Sequence, residues 1–310
     1  MSWRAVSREE YSQYFNESWT IFHSTKFNEI NKDKVKNVVY LLFENTNCLF
    51  GICFGIKENW IVSPFSSPFG GIEHTGDFLE NDYIVAIDKL AYYLNENHPT
   101  YSVQITLPPV SYDKNSIEVQ LDGFIKNGFK IKYTDINFHL ELNLDDPLSI
   151  LKRNAKKNLK KALEVDYQLI LADNRIDKER AYSIIQRNRA EKGYPLKMSF
   201  QDLLKTENVV KIDFFTLKMN HQDVAAAVVF RINSKVAMVV YWGHLYEFSE
   251  YRPVNLMGFL LVNFYKEQGF QILDIGPSSE NGILDEGLAS FKESLGCVRS
   301  NKFTLIKSHE

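Results

Sequence analysis

One order of elements is written twice in this chain. In the first half, residues 82–97 carry Ile84, Ile87, Leu90, Ala91 and Leu94 at helical spacing. A strand, Ser102–Leu107, then stops at Pro108-Pro109. A short helix over 116–127 is closed by Gly128, and Lys130–Leu142 is extended. The second half ends alike: a helix over 254–267, a strand Gln271–Ile275 stopping near Pro277, a helix over 284–295 closed by Gly296, and a strand Lys302–Ile306. Pro109 to Gly128 and Pro277 to Gly296 both span 19 positions. The offset is 168 residues, and it also pairs Tyr83 with Tyr251. Few identities survive, so shared order and spacing carry the reading of an ancient duplication.

Each copy opens with strands. In the first, Val38–Phe43, the polar turn Glu44–Asn47, Cys48–Ile56 and Ile61-Val62 lead into the loop Ser63–Gly71. In the second, Val209–Met219, Ala225–Ile232 and Val236–Trp242 form a meander through the turns Asn220–Asp223 and Asn233–Lys235. Between the copies, Asp145-Asp146-Pro147 starts a helix that runs Leu148–Leu163. A strand Tyr167–Leu171 and a helix Asp177–Lys192, stopped by Gly193 and Pro195, follow. The expectation is an α+β fold with a mixed sheet. A first unit covers 1–145, and a second covers 146–310, opening with a basic linker helix at 146–163. A length of 310 residues suits two domains of about 100–200 residues.

With 45% hydrophobic residues the chain is not predominantly disordered. Cys48, Cys53 and Cys297 are odd in number and form no CxxC, so they are not a disulfide framework. The N-terminal stretch has no apolar h-region, and no run approaches the ~20 apolar residues of a membrane span. A cytoplasmic location is expected. The seven histidines show no HxH or HxxxH spacing, so no metal site is expected. No nucleophile elbow, Walker loop or paired-glycine dinucleotide loop is present.

A net charge of −3 argues against a globally basic nucleic-acid binder but conceals a local stripe. Lys152, Arg153, Lys156, Lys157, Lys160 and Lys161 form one i, i+4 face, opposite Leu151, Ala155, Leu159 and Ala162. Like charges at this spacing repel by a few tenths of a kcal/mol per pair. Two explanations stand: a polyanion binds there, or nearby acids neutralise a solvated face.

Leu273-Asp274-Ile275-Gly276, a polar loop, and Phe291-Lys292-Glu293-Ser294-Leu295-Gly296-Cys297 resemble a D-x-G … F-K-x-x-(aromatic/aliphatic)-G-(small) ending. Leu151–Ala162 with Tyr167–Ile170 is similar to the basic helix and adjoining strand that go with it. Together with the meander–helix–strand–helix–strand order, these resemble the FemAB-type peptidyltransferases of the acyl-CoA N-acyltransferase (GNAT-like) superfamily, over nearly the whole chain. The resemblance implies two tandem GNAT-like units and transfer of an acyl or aminoacyl group to an amine. The donor would be acyl-CoA or aminoacyl-tRNA, with no resident cofactor. The acceptor would be a small-molecule or peptide amine, and tRNA would be a partner where the donor is aminoacyl-tRNA.

The GNAT pyrophosphate loop, R/Q-x-x-G-x-G/A, is altered here to Arg252-Pro253-Val254-Asn255-Leu256-Met257-Gly258. Glycines let backbone amides approach a phosphate at a helix N-terminus, so Asn255 and Met257 put CoA binding in question. The resemblance assigns donor binding to Arg252, Asn255, Gly258, Ser278 and Ser279. Single-unit GNAT enzymes often have a tyrosine where Lys292 stands; a lysine suits a developing oxyanion. The alternative for Lys292 is a solvated helix face paired with Glu293 or Glu286. Asp274, near a strand's carboxyl end, would orient or deprotonate the amine, or else cap the loop Ser278–Asn281. His244 would take the amine's proton. Tyr241 would touch substrate or simply pack. A competing function is a non-catalytic, degenerate module that binds a nucleotide or RNA through Lys152, Arg153, Lys156, Lys157 and Lys160.

Overall fold

The computed structural model describes residues 2–45, 48–76, 78–143, 146 and 148–309. Thr46 and Asn47 of the expected polar turn, and Asp145 and Pro147 of the expected helix start, lie outside them. By contacts the chain forms two compact units, neither a single stretch of sequence. The first is Met1–Ile136, Ser279–Ile283 and Ser300–Glu310; the second is Asn137–Ser278 and Leu284–Arg299.

The first unit opens with β1 (Arg4–Val6), α1 (Arg8–Tyr14) and α2 (Thr25–Ile30), none of them expected from the sequence. Both helices are too short for a periodic signature and are set by capping. Ser7 accepts from the Glu10 amide and Ser24 from the Phe27 amide. The meander β2 (Asn37–Glu44), β3 (Leu49–Lys57) and β4 (Trp60–Ser63) follows, with β5 (Glu73–Thr75) sharing with β4 the edge of β3 away from β2. Then come α3 (Glu80–Asn97), β6 (Ser102–Thr106) parallel to β4, α4 (Lys114–Lys126) and the first part of β7 (Lys130–Glu141). Phe43, Phe50, Phe54, Tyr83, Leu90 and Phe124 fill the core.

The second unit holds the rest of β7, α5 (Arg153–Leu163), β8 (Tyr167–Leu171), α6 (Arg175–Glu191) and α7 (Phe200–Glu207). Its meander is β9 (Ile212–Met219), β10 (Gln222–Arg231) and β11 (Val236–His244). Next are α8 (Pro253–Glu267) and β12 (Ile272–Pro277), parallel to β11. After the two-residue strands β13 (Ser279–Glu280) and β14 (Ile283–Leu284) come α9 (Glu286–Ser294) and β15 (Val298–Lys307). Each unit completes its sheet with a strand from the other half of the sequence. Residues 137–141 of β7 pair antiparallel with β12, and residues 304–307 of β15 pair antiparallel with β6.

Two local expectations are corrected. The linker helix begins at Arg153, not at 146–148. Asp146 instead caps a turn, its carboxylate accepting from the Leu148 amide at 2.8 Å. Lys152 is extended and donates its amide to the Ser294 carbonyl at 3.0 Å, a tertiary contact that sets the helix start. Val209 and Val210 are not in β9: α7, missed from sequence, ends just before them and is fixed by a Ser199–Asp202 capping box.

The repeat is sharpest at the helix ends. Gly128 and Gly296 both have φ +84°, where a side chain is disfavoured. In each, the next residue's amide bonds back five residues, Phe129 to Phe124 and Cys297 to Lys292, both at 3.1 Å. Upstream the offset drifts: α3 begins at Glu80 and α8 at Pro253. Tyr83 therefore lies inside its helix while Tyr251 precedes one, and the two are not equivalent.

One buried acid makes the first unit pH-sensitive. Glu73 is fully buried, accepting from the Tyr11 hydroxyl at 2.8 Å and the Trp19 amide at 3.0 Å. Burial pushes its pKa up to about 7, against these hydrogen bonds. The folded form then binds a proton that the unfolded form has released, so stability falls as pH rises from the ordinary carboxylate range to about 7. We expect a loss of roughly 3 kcal/mol across that window, at about 1.4 kcal/mol per pKa unit. Urea titrations at pH 5 and 8 should show a much smaller difference in Glu73→Gln; an unchanged pH slope in that variant would refute the assignment.

Candidate active site

In the second unit two parallel strands part at their carboxyl ends. β11 and β12 pair from Val236/Ile272 to Met238/Asp274. Beyond that, β11 stays with β10 as far as His244, and β12 stays with β7 as far as Pro277. Each strand carries a bulge at the parting, Val240 on β11 and Ile275 on β12. A bulge bends its strand and raises its twist, so the pair separates into a wedge, the position that ligands favour in open sheets.

Lys292 lies beside β12. It projects from α9 and is only 2% exposed, which overturns the solvated-face alternative. Its ammonium donates to the carbonyls of Gly276 (2.8 Å) and Pro277 (2.9 Å) and sits 5.5 Å from the Phe138 ring centre. Burial pulls its pKa down to about 8, opposed first by Asp274. It is still mostly charged at pH 7, and two of its three N–H groups are used. Glu293, a suggested partner, pairs instead with Lys152 and Arg299.

Asp274 is 1% exposed; one carboxylate oxygen accepts from Asn137 Nδ2 at 2.8 Å and from the Gly276 amide at 2.7 Å. Directly across from it on β7 is His139, 5% exposed, with Nδ1 unpartnered among the described residues and a pKa lowered by burial. Sequence reading missed Asn137 and His139. They lie more than 130 residues from Asp274, and alternation marked them only as strand positions. In the first unit the residue matching Lys292 at the shared helix end is Phe124, fully buried in the core. The charged group is thus a property of the second unit.

A family model described as an acetyltransferase (GNAT) domain matches residues 151–292. Among solved structures, FemX aligns over 99% of this chain and 97% of its own with a TM-score of 0.69 at 13% identity. The chain has a tandem GNAT-like fold. L-PGS from Bacillus licheniformis aligns over 99% of this chain and 94% of its own, with a TM-score of 0.61 at 13% identity. A tandem GNAT protein from the clavulanic acid biosynthesis pathway aligns over 100% and 98%, with a TM-score of 0.54 at 8% identity. No curated protein matches by sequence.

In this tandem GNAT fold, His244 and Tyr241 end β11 on the α6 side of the second unit. The Tyr241 hydroxyl accepts from the Met198 amide at 3.1 Å, and its ring lies 5.6 Å from the Arg189 guanidinium, so it braces the α6–α7 loop. Asn188 of α6 donates to the His244 carbonyl at 2.7 Å. A Cβ on Gly243 would fall 2.3 Å from Asn188 Oδ1, so only glycine allows this approach. His244 is half-buried; burial, Lys192 and Arg252 lower its pKa, with Glu191 opposing, and it is neutral at pH 7.

The donor-loop residues are dispersed. Arg252 is exposed in a left-handed conformation (φ +56°) ahead of α8. Asn255 and Gly258 are buried in the first turns of α8, and a Cβ on Gly258 would meet nothing closer than 3.5 Å. Ser278 belongs to the second unit, 2% exposed, with a hydroxyl that has no partner among the described residues. Ser279 belongs to the first, where its hydroxyl donates to Asp135 and accepts from the Ile136 amide.

On α5, Ala155, Leu159 and Ala162 are buried, while Arg153, Lys156, Lys157, Lys160 and Lys161 are exposed. Among the described residues only Lys152 of the stripe is ion-paired, to Glu293 at 3.0 Å. Among the described residues, no acid lies within ion-pair distance of the rest of this face. Among the described residues no cluster of His, Cys, Asp and Glu could hold a metal, and no helix is long and apolar enough to cross a membrane.

Proposed function

We propose that this protein is an N-acyltransferase whose second unit transfers an acyl or aminoacyl group from an activated donor to an amine. The observation that carries this reading is the buried, still-charged Lys292 beside Asp274, where β11 and β12 part. A fixed cation in a dry site stabilises the charge that develops on the carbonyl oxygen. Lys292 supplies its remaining N–H to that oxyanion. Asp274, held by Asn137 and the Gly276 amide, orients the acceptor amine. His244, neutral at working pH, takes the amine's proton. The wedge supplies positioning, which removes much of the entropic barrier. Loss of transfer in a Lys292 variant that keeps its fold is the test.

Of the two donors, aminoacyl-tRNA fits better. Asn255 and Met257 replace loop glycines, and the unpaired basic face of α5 suits a polyanion. The same face supports the second reading, a non-catalytic module that binds RNA. For either, the slope of log K for tRNA against log salt should fall by about 1.4–1.8 in Lys157→Ala/Lys160→Ala, at about 0.7–0.9 per phosphate contact. An unchanged slope would remove tRNA from the α5 face. Turnover of aminoacyl-tRNA with an amine acceptor separates the enzyme from the module.

A further inference from the structure

The short helical turn after β11, residues 246–251, places Ser249 against His244. The Ser249 hydroxyl is 2.6 Å from the Tyr246 carbonyl and 3.0 Å from His244 Nε2. It has one hydrogen to give. A carbonyl and a hydroxyl oxygen at 2.6 Å with no hydrogen between them would repel, so that hydrogen lies on the Tyr246 contact. Towards His244 the hydroxyl is therefore an acceptor, and Nε2 carries the ring proton. Nδ1 is left as a bare lone pair, buried and without a partner among the described residues. The main chain is pinned independently, through Asn188 and the His244 carbonyl. The charged groups acting on the ring are Lys192 and Glu191 from the end of α6 and Arg252 ahead of α8.

We propose that Ser249 is a positioning residue: it holds His244 in the Nε2–H tautomer so that Nδ1 is the atom that accepts the acceptor's proton. The proposal rests on the reading of His244 as the base. The amine loses a proton to Nδ1 and its nitrogen forms the new C–N bond. The carbonyl carbon's bond to the donor's sulfur or ribose oxygen breaks. The leaving thiolate or alkoxide takes the proton from the imidazolium, which returns to the neutral Nε2–H form. While doubly protonated, the ring keeps its Nε2–H bond to Ser249.

Nitrogen-15 NMR of the ring-labelled protein reads the tautomer without any substrate. Expected results are protonated Nε2 and bare Nδ1 for His244 in the wild type, and gain of the Nδ1–H form in Ser249→Ala. Ser249→Thr, which keeps the hydroxyl, should restore the wild-type signature. In transfer assays Ser249→Ala should lower kcat about 10²-fold, the low end for general-base catalysis, with KM little changed. Nδ1–H in the wild type, or an unmoved tautomer in Ser249→Ala, overturns the assignment. A moved tautomer with undiminished transfer overturns the positioning role and removes His244 as the base. Loss of transfer in Lys292 variants would stand apart from either outcome.

Discussion

Lys292→Met is expected to lower kcat by about 10²–10³-fold, the scale seen when one oxyanion donor is removed, while the protein still folds. Methionine keeps most of the side chain's volume, so the packing of α9 against Phe138 survives; Lys292→Ala should lose at least as much activity. The stability effects offset each other. Keeping a lysine charged at pH 7 when burial has moved its pKa from 10.5 to about 8 costs roughly 3 kcal/mol, at about 1.4 kcal/mol per unit. Methionine removes that cost but strands the Gly276 and Pro277 carbonyls, each losing a charge-assisted bond of about 1.5–3 kcal/mol. The wild type carries a second signature. Between pH 8 and 10.5 its unfolded form binds more protons than its folded form, so stability rises with pH there. That rise should be absent in Lys292→Met. Single-turnover rates and urea titrations on one preparation are the measurement; full activity in a folded Lys292→Met would remove the lysine from the mechanism.

Gly296→Ala should destabilise the protein by about 2–5 kcal/mol, whereas Gly128→Ala should cost only about 1–2 kcal/mol. Both glycines hold φ +84°, and placing a β-carbon in that region costs about 1–2 kcal/mol. Their surroundings differ. A Cβ at 296 would lie 2.7–2.9 Å from three atoms of Ile150, including its own Cβ. Over-packing of that kind adds about 1–3 kcal/mol. At 128 the nearest atom is the far end of Lys307 at 3.9 Å, which moves freely. Equal losses on denaturant unfolding would mean that Ile150 does not seat against Gly296.

Much of the second unit is legible as pattern. The meander, α8 and the strand Tyr167–Leu171 follow from alternation, helical spacing and turn residues, signals that need no partner. The capped helices α1, α2 and α7 escaped because they are short. Ser7, Ser24 and Ser199 are capping signals only once the hydrogen bonds they accept are known. The start of α5 was misplaced for the opposite reason: an Asp-Asp-Pro run is a plausible helix start, but the Lys152 amide is claimed by Ser294, far away in sequence.

The sequence alone determined that one unit is written twice, that Gly128 and Gly296 close matching helices, and that a lysine follows Phe291 on the last helix. These rest on local backbone preference and on spacing within one element. Tertiary structure alone decided that this lysine is buried with its charge, that Asn137 and His139 flank Asp274, and that β11 and β12 part where their bulges fall. It also decided that each unit completes its sheet with a strand from the other half. Periodicity says which face of an element is apolar. Which distant strand pairs along its edge is set by competition among pairings, and only the folded chain resolves it.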